Sequence, residues 1–85
     1  MHQLEQEIID TIAEEGDVDK SEIKLDSNFY DLGIDSLTAL EILVVLEDKY
    51  DIVIPQNRLR NVNTASQIIS VFSDELQKKA KGTTG

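Results

Sequence analysis

The sequence contains no cysteine and only one histidine. Without cysteine, disulfides, thiolate metal ligands and a thiol nucleophile carried by the protein itself are excluded. The absence fits a reducing compartment, so we expect a cytoplasmic location. The single imidazole, His2, lies at the N-terminus and is poorly placed to activate a catalytic hydroxyl. We therefore expect no Ser-His-Asp catalytic set.

Aromatic residues and long apolar runs are also scarce. Two Phe and two Tyr residues leave the core to be built from Leu, Ile and Val. No apolar run approaches the roughly 20 residues of a membrane-spanning helix, and no signal segment opens the chain, so neither is expected. The 85 residues are 40% hydrophobic, which suffices for one packed domain. We expect a monomer with a single domain over residues 1–81 and a disordered tail over residues 82–85.

Basic residues are few in the first two thirds of the chain. The sequence holds 17 acidic and 8 basic residues, for a net charge of −9. Residues 1–57 contain 15 acids and 3 lysines, a net of −12, whereas residues 58–85 contain 2 acids and 5 bases, a net of +3. Like-charge repulsion makes nucleic acid and anionic membranes poor partners and favours basic protein surfaces. A purely solubilising role of the acids is the alternative.

The spacing of apolar residues predicts an all-α fold. An amphipathic helix ends at Gly16, and a long loop over residues 17–35 follows it, with a short helical turn inside. Further helices are predicted over residues 36–50, over residues 56–60 after Pro55, and from residue 65 behind a capping box of Thr64 and Gln67. The expected architecture is a small four-helix bundle, three main helices plus one short helix, with a long first loop.

The second helix is predicted to be the most central one. Its run from Ile42 to Leu46 is apolar on every side, and a buried strand is the alternative for those five residues. Several isolated apolar residues are expected to hold the long loop against the core: Val18, Ile23, Leu25, Phe29 and Leu32. Three lysines are expected to complement the dipole of the last helix: Lys78, Lys79 and Lys81.

A calcium-binding loop is the metal site that the abundant acids most nearly suggest. Asp26-Ser27-Asn28 opens like such a loop. However, its sixth position is Asp31 instead of Gly, and its twelfth is Leu37 instead of a bidentate Glu. We therefore expect no metal site.

Ser36 is the most informative residue, because it stands where the long loop becomes the second helix. Gly33 permits a close approach or a positive φ, Asp35 is a candidate N-cap, and a helix start favours a phosphate. The run Asp31-Leu32-Gly33-Ile34-Asp35-Ser36-Leu37 resembles the D-L-G-x-D-S-L attachment motif of acyl carrier proteins. Over residues 3–76 the resemblance is also carried by Glu41, Leu46, Glu47, Tyr50-Asp51 and Ile54-Pro55.

The resemblance implies a function for Ser36. A phosphopantetheinyl transferase would move 4′-phosphopantetheine from coenzyme A onto its hydroxyl, with Asp35 in a supporting role. The thiol of that group would hold acyl groups as thioesters, for delivery to fatty-acid, polyketide or related biosynthetic enzymes. Those acyl-loading and acyl-processing enzymes would carry basic patches that dock on the acidic second helix. The resemblance also implies that the chain itself is not an enzyme. The partner-binding residues implied on that helix are Leu37, Leu40, Glu41, Val44, Glu47 and Asp48.

The sequence departs from the family pattern at several positions. Thr38 stands where fatty-acid carriers often have another acid, and Arg58 and Arg60 place positive charge on a short helix that is commonly acidic. The arginines would repel the usual basic docking patches, or they serve only solubility. Three residues are bulky for positions that line the acyl cavity in the family, which leads to the hypothesis of short or small cargo: Leu59, Ile68 and Ile69.

Two other functions compete with acyl carriage. Aminoacyl and peptidyl carriers usually read L-G-G-x-S before the attachment site, and Gly33-Ile34 breaks that pattern. A helical interaction module in which Ser36 only caps a helix is the second alternative. Intact mass after expression separates a carrier from such a module, and the enzymes that load the modified protein separate the two kinds of carrier.

Overall fold

The computed structural model describes the backbone of residues 2–60 and 62–82 and the side chains of residues 3–60 and 62–79. Within these residues lie four α-helices: α1 (His2–Gly16), α2 (Ser36–Tyr50), α3 (Gln56–Leu59) and α4 (Ala65–Gly82). A 3-10 helix at Lys20–Glu22 provides the short turn expected in the long loop. The described part of the chain contains no strand, only an isolated antiparallel bridge between Asn28 and Thr64. The all-α prediction is therefore confirmed.

The three long helices surround one apolar core, and α1 packs against both α2 and α4. Buried apolar residues from all three helices join in a single core cluster. The buried apolar residues are Ile8, Ile12, Ile23, Phe29, Ile34, Ile42, Leu43, Leu46, Ile54, Val62, Ala65, Ile68, Val71 and Phe72. None of the described helices has the length and apolar character needed to cross a membrane.

The prediction that α2 is the most central helix is wrong, because α1 is the helix that packs against both of the other long helices. Ile42, Leu43 and Leu46 are buried, but Val44 is 60% exposed and Val45 is 38% exposed. In a bundle this small, α2 packs on the core through one face only, so apolar residues on its other face stay in solvent. The strand alternative is also wrong, because residues 42–46 lie inside α2.

The helix ends follow local rules that the sequence displays. Thr64 and Gln67 form the predicted capping box: the Gln67 N–H donates to Thr64 Oγ1 at 3.2 Å, and Gln67 Oε1 accepts from the Thr64 N–H at 3.2 Å. The short helix α3 ends at Leu59, one residue earlier than predicted, with Arg60 as its C-cap.

Gly16 ends α1 for a reason that differs from its usual one. The left-handed residue after the helix is Asp17, with φ of 54°. A Cβ at Gly16 would stand 2.9 Å from Cδ1 of Ile34, so the glycine allows Ile34 to pack against the end of α1. Gly16 therefore helps to position the residues that precede α2.

Charged side chains fasten the helices to one another. Lys49 of α2 pairs with Glu7 of α1 at 3.4 Å, and Lys20 pairs with Asp10 at 2.6 Å. Lys79 donates to the carbonyl oxygens of Tyr50 and Asp51 at 3.3 and 2.8 Å. Lys79 thus complements the C-terminal end of α2, in addition to the predicted role at its own helix.

Of the remaining predictions for the end of the chain, those for Lys78 and Gly82 fall on described residues. Lys78 lies 3.4 Å from Glu75, one turn back on α4. The side chain of Lys81 lies outside the described residues, as do residues 83–85 of the expected tail, while Gly82 is the last residue of α4.

The loop between α1 and α2 is held down by fewer residues than predicted. Ile23 and Phe29 are buried, and Val18 and Leu32 are partly buried against the core. Leu25 is 45% exposed, so its predicted anchoring role is wrong. Its backbone contributes instead, because the Leu25 carbonyl accepts from the Ser66 N–H at 2.9 Å.

Candidate functional site

Ser36 is the first residue of α2, and its side chain is exposed. The preceding Asp35 is the N-cap: its Oδ1 accepts from the Thr38 N–H at 2.8 Å. This backbone hydrogen bond, together with the Thr38 side chain, lowers the pKa of Asp35 below its ordinary value, so the carboxylate is charged at neutral pH. Because Asp35 caps the helix, the hydroxyl of Ser36 is not needed for that task, contrary to the alternative of a structural cap.

The residues before Ser36 form consecutive tight turns. Asn28 Oδ1 accepts from the Tyr30 N–H at 2.9 Å, and the Gly33 N–H donates to the Tyr30 carbonyl at 3.1 Å. Gly33 has φ of 78°, a left-handed conformation that favours glycine. A Cβ at Gly33 would meet no atom within 4 Å, so the glycine serves the positive φ and not a close approach.

This turn segment is tied to the core at both ends. The Phe29 N–H donates to the Asn63 carbonyl at 3.0 Å, next to the start of α4. The Ile34 N–H donates to the Phe29 carbonyl at 2.9 Å, and the Ile34 side chain is 4% exposed. With Ile34 buried immediately before Asp35, the start of α2 is held by packing as well as by its cap.

A groove of about 270 Å³ opens beside Ser36. Its lining comes from the turn segment, from α2 and from the end of α3, and it is mostly apolar, with Ile34, Leu43 and Leu59 among its walls. Polar residues with hydrogen-bond donors also line it, among them Asn28, Arg60 and Asn63. Asp35 and Ser36 belong to the same lining, so the groove and the exposed hydroxyl form one site.

The outer face of α2 carries the other residues that the sequence implicates. Leu37 is 67% exposed, Leu40 is 53% exposed and Val44 is 60% exposed, so three neighbouring apolar side chains face solvent. Glu41 and Asp48 are exposed beside them. An exposed apolar stripe flanked by charge is typical of a protein-binding surface.

Glu47 has a structural contact that the sequence did not indicate. It is half-buried, and its Oε2 accepts from the Ile54 N–H at 2.7 Å. The carboxylate therefore holds the crossover between α2 and α3, and less of its charge is available to a partner.

Arg58 and Arg60 have different environments. The Arg58 guanidinium lies 3.0 Å from Asp74 and 3.1 Å from Glu75, and these hydrogen bonds, to Asp74 first, raise the pKa of Arg58. Arg58 thus joins α3 to α4, so the interpretation that it repels basic partners loses its support. Arg60 is exposed and lines the groove.

The three residues predicted to fill the acyl cavity, Leu59, Ile68 and Ile69, have different locations in the structure. Ile68 is fully buried, Ile69 packs against the core while partly buried, and Leu59 alone of the three lines the groove. Space that smaller residues would leave inside the bundle is therefore filled by side chains.

Sequence reasoning missed Ile34, Asn28 and Asn63 as parts of this site. Asn28 had a local signal, since Asn two residues before an N–H is typical of an Asx turn. Ile34 and Asn63 had none, because their roles depend on Gly16 and Phe29, which lie far away in the chain.

The site suits a covalently held phosphate ester better than a metal ion. An exposed hydroxyl at a helix start is accessible to a modifying enzyme, and the adjoining groove offers apolar walls and polar donors. Among the described residues, no group of three or more His, Asp or Glu side chains is arranged to hold a metal ion.

Comparison with known proteins agrees with the geometry. The family profile described as "Phosphopantetheine attachment site" matches residues 6–72. The acyl carrier protein of Exiguobacterium sibiricum is 35% identical over 71 residues, which cover 82% of this chain and 90% of the relative. The chain therefore belongs to the acyl carrier protein family, whose members are carriers and not enzymes and bear a covalently attached 4′-phosphopantetheine.

Proposed function

We propose that the Ser36 hydroxyl is the attachment point for 4′-phosphopantetheine and that the chain delivers acyl groups to fatty-acid, polyketide or related biosynthetic enzymes. The observation that carries the proposal is the exposed Ser36 hydroxyl at the start of α2. Asp35 already caps the helix, so this hydroxyl is not needed as a cap, and Ser36 borders the groove. When bound, the group supplies a thiol that holds acyl chains as thioesters.

Activation of the Ser36 hydroxyl must come from the modifying enzyme. The single imidazole belongs to His2, at the far end of α1 from Gly16, which packs near Ile34. Along α1 the backbone of His2 lies fourteen residue steps, about 21 Å, from that of Gly16, so it is remote from the start of α2. A phosphopantetheinyl transferase is therefore the first partner.

The residues around Ser36 orient it for that enzyme. Asp35 fixes the first turn through the Thr38 N–H, and buried Ile34 fixes the backbone before it. The Ser36 Oγ is thereby held outside the core without being used by any described protein group.

The outer face of α2 is proposed to receive the partner enzymes. Leu37, Leu40 and Val44 supply apolar contact, while Glu41 and Asp48 supply negative charge. The only lysine of α2, Lys49, pairs with Glu7 on α1, so it does not neutralise this face. Basic docking patches fit such a surface, and acyl-loading and acyl-processing enzymes of that kind are the proposed partners.

Three further features of the carrier belong to the proposal. The carrier domain spans residues 1–81, the protein acts as a monomer, and it works in the cytoplasm. The absence of cysteine is compatible with that compartment. Loading trials with acyl-transferring and adenylating enzymes identify the pathway, and exclusive loading by an aminoacyl-adenylating enzyme would make the chain an aminoacyl carrier instead.

The test of attachment compares two serines that both lie in the first turn of a helix. Ser36 begins α2, and Ser66 is the second residue of α4 and is also exposed. Unmodified protein, Ser36→Ala and Ser66→Ala are each incubated with coenzyme A and a broad-specificity transferase, and intact mass is measured. We expect the parent and Ser66→Ala to gain one phosphopantetheine and Ser36→Ala to gain none, with unchanged helical circular dichroism. A full mass gain in Ser36→Ala would refute the assignment.

A further inference from the structure

The two arginines of the chain lie two residues apart, but only the Arg58 side chain forms ion pairs that join helices. Both Nη atoms of Arg58 are used, one on Asp74 and one on Glu75. Arg60, the C-cap of α3, donates its backbone N–H to the Gln56 carbonyl at 3.2 Å. Within the described part of the chain, the guanidinium of Arg60 makes no ion pair or hydrogen bond.

Among the described residues, Arg60 is the only basic one that lines the groove beside Ser36. Other hydrogen-bond donors accompany it there. Asn28 uses its Oδ1 to accept from the Tyr30 N–H, which leaves its NH₂ group available, and Asn63 contributes a second amide. These three donors are suited to an anion, whereas the Asp35 carboxylate of the same lining opposes one, and the remaining walls are mostly apolar.

The negative charge around Ser36 is the reason why a cation in the groove would stabilise an attached phosphate. Attachment at Ser36 introduces a phosphodiester, a permanent anion, beside the charged Asp35 and within the part of the chain that carries a net charge of −12. Like charges disfavour this addition, and a guanidinium reaching the same groove offsets part of the repulsion. Arginine also matches phosphate oxygens with two parallel N–H donors.

We propose that Arg60 binds the phosphodiester formed on Ser36 and thereby directs the attached arm along the groove. The proposal rests on the proposed function, because the anion exists only after Ser36 is modified. Arg60 is a positioning residue here: it touches the phosphate, and the apolar walls formed by Ile34, Leu43 and Leu59 then receive the arm.

The test uses protein that has been fully modified, as verified by intact mass. Arg60→Gln removes the charge and keeps a similar length, Arg60→Lys keeps the charge but loses the paired donors, and Lys24→Gln is the control at an exposed lysine outside the groove lining. The readouts are the ³¹P shift and relaxation of the phosphodiester and the Nε–H resonance of Arg60 before and after modification.

We expect modification of the parent protein to shift the Arg60 Nε–H resonance and to slow the motion of the phosphorus. In Arg60→Gln the phosphorus should become more mobile, because an exposed ion pair changes the balance between bound and free arm about two- to fivefold. Arg60→Lys should lie between the two, and Lys24→Gln should match the parent. Added salt should bring the parent towards Arg60→Gln.

Identical phosphorus spectra in the parent and Arg60→Gln would overturn the proposal. Slower modification of Arg60→Gln followed by unchanged spectra would also overturn it, because Arg60 would then contact the transferase alone. These results differ from failure of the underlying function, in which the parent protein itself gains no phosphopantetheine.

Discussion

Gly33 shows how a single backbone conformation prepares the site. Its φ of 78° turns the chain from the loop into α2, three residues before Ser36. The hydrogen bond from its N–H to the Tyr30 carbonyl closes the last turn before Ile34 enters the core. The position of Ser36 therefore depends on the backbone conformation of Gly33 and not on side-chain packing at that residue.

Replacement of Gly33 tests this dependence. A Cβ has open space there, so Gly33→Ala should suffer only from the left-handed backbone, which costs about 1–2 kcal/mol in free energy of unfolding. Gly33→Asn should cost less, because Asn tolerates this conformation better than Ala. Urea unfolding of the three proteins measures the differences. Equal losses for Ala and Asn would show that packing, and not φ, requires glycine here.

At the scale of elements, α2 performs two tasks on opposite faces. Ile42, Leu43 and Leu46 hold the bundle together, while Leu37, Leu40 and Val44 remain in solvent. Lys79 of α4 donates to a carbonyl oxygen at the C-terminal end of α2, and Glu47 accepts from the Ile54 N–H in the segment that follows α2. A partner that docks on the outer face, as proposed, would meet a helix whose end and exit are already held in place, which lowers the entropy lost on association.

The proposed docking surface of α2 predicts an order of mutational effects. Glu41→Lys should reduce transferase affinity about two- to fivefold, as expected for an exposed charge pair, and added salt should shrink this difference. Val44→Asp should reduce affinity by about fivefold or more at any salt concentration, because it places charge in an apolar contact. Surface plasmon resonance over a range of ionic strength measures both.

A matched charge reversal controls for net charge. Glu14→Lys changes the protein's charge by the same amount on an exposed position of α1. It should leave the affinity near that of the parent. If Glu14→Lys and Glu41→Lys weaken binding equally, the attraction is a property of total charge and α2 is not the docking face.

At the scale of the whole molecule, the filled interior bears on the cargo. Ile68 is fully buried, Leu59 is part of the lining of the groove beside Ser36, and Leu40 of the same lining is 53% exposed. Atoms of a long acyl chain would have to displace packed side chains, which is costly in a close-packed core. These observations support the hypothesis that the protein shelters short or small cargo.

The cargo hypothesis predicts a plateau in core perturbation. Amide shifts of core residues are compared for acetyl, butyryl, octanoyl and dodecanoyl forms of the modified protein, and we expect them to stop growing after the short chains. Ile68→Val, which costs about 0.5–1.5 kcal/mol, should move the plateau to longer chains by opening space. Ile8→Val, at an equally buried position on α1, is the control and should leave it unchanged. Shifts that grow through dodecanoyl in the parent would contradict the hypothesis.

Features set by residues close together in the chain were predictable from the sequence. They include the start of α2 at Ser36, its cap at Asp35, the box of Thr64 and Gln67, and the motif that led to the acyl carrier family. Each depends on hydrogen bonds or spacing within a few residues, so the local sequence contains the necessary information.

Features that join distant segments were decided only by the tertiary structure. The sequence alone could not show that Val45 is partly exposed, that Ile34 packs on Gly16, or that Arg58 is paired with Asp74 while Arg60 lines the groove. The physical reason is that burial and ion pairing depend on which helix faces which, and a repeating apolar pattern does not specify the neighbour. The sequence by itself determined the helices and the candidate attachment serine, and the packing of those helices determined which side chains surround it.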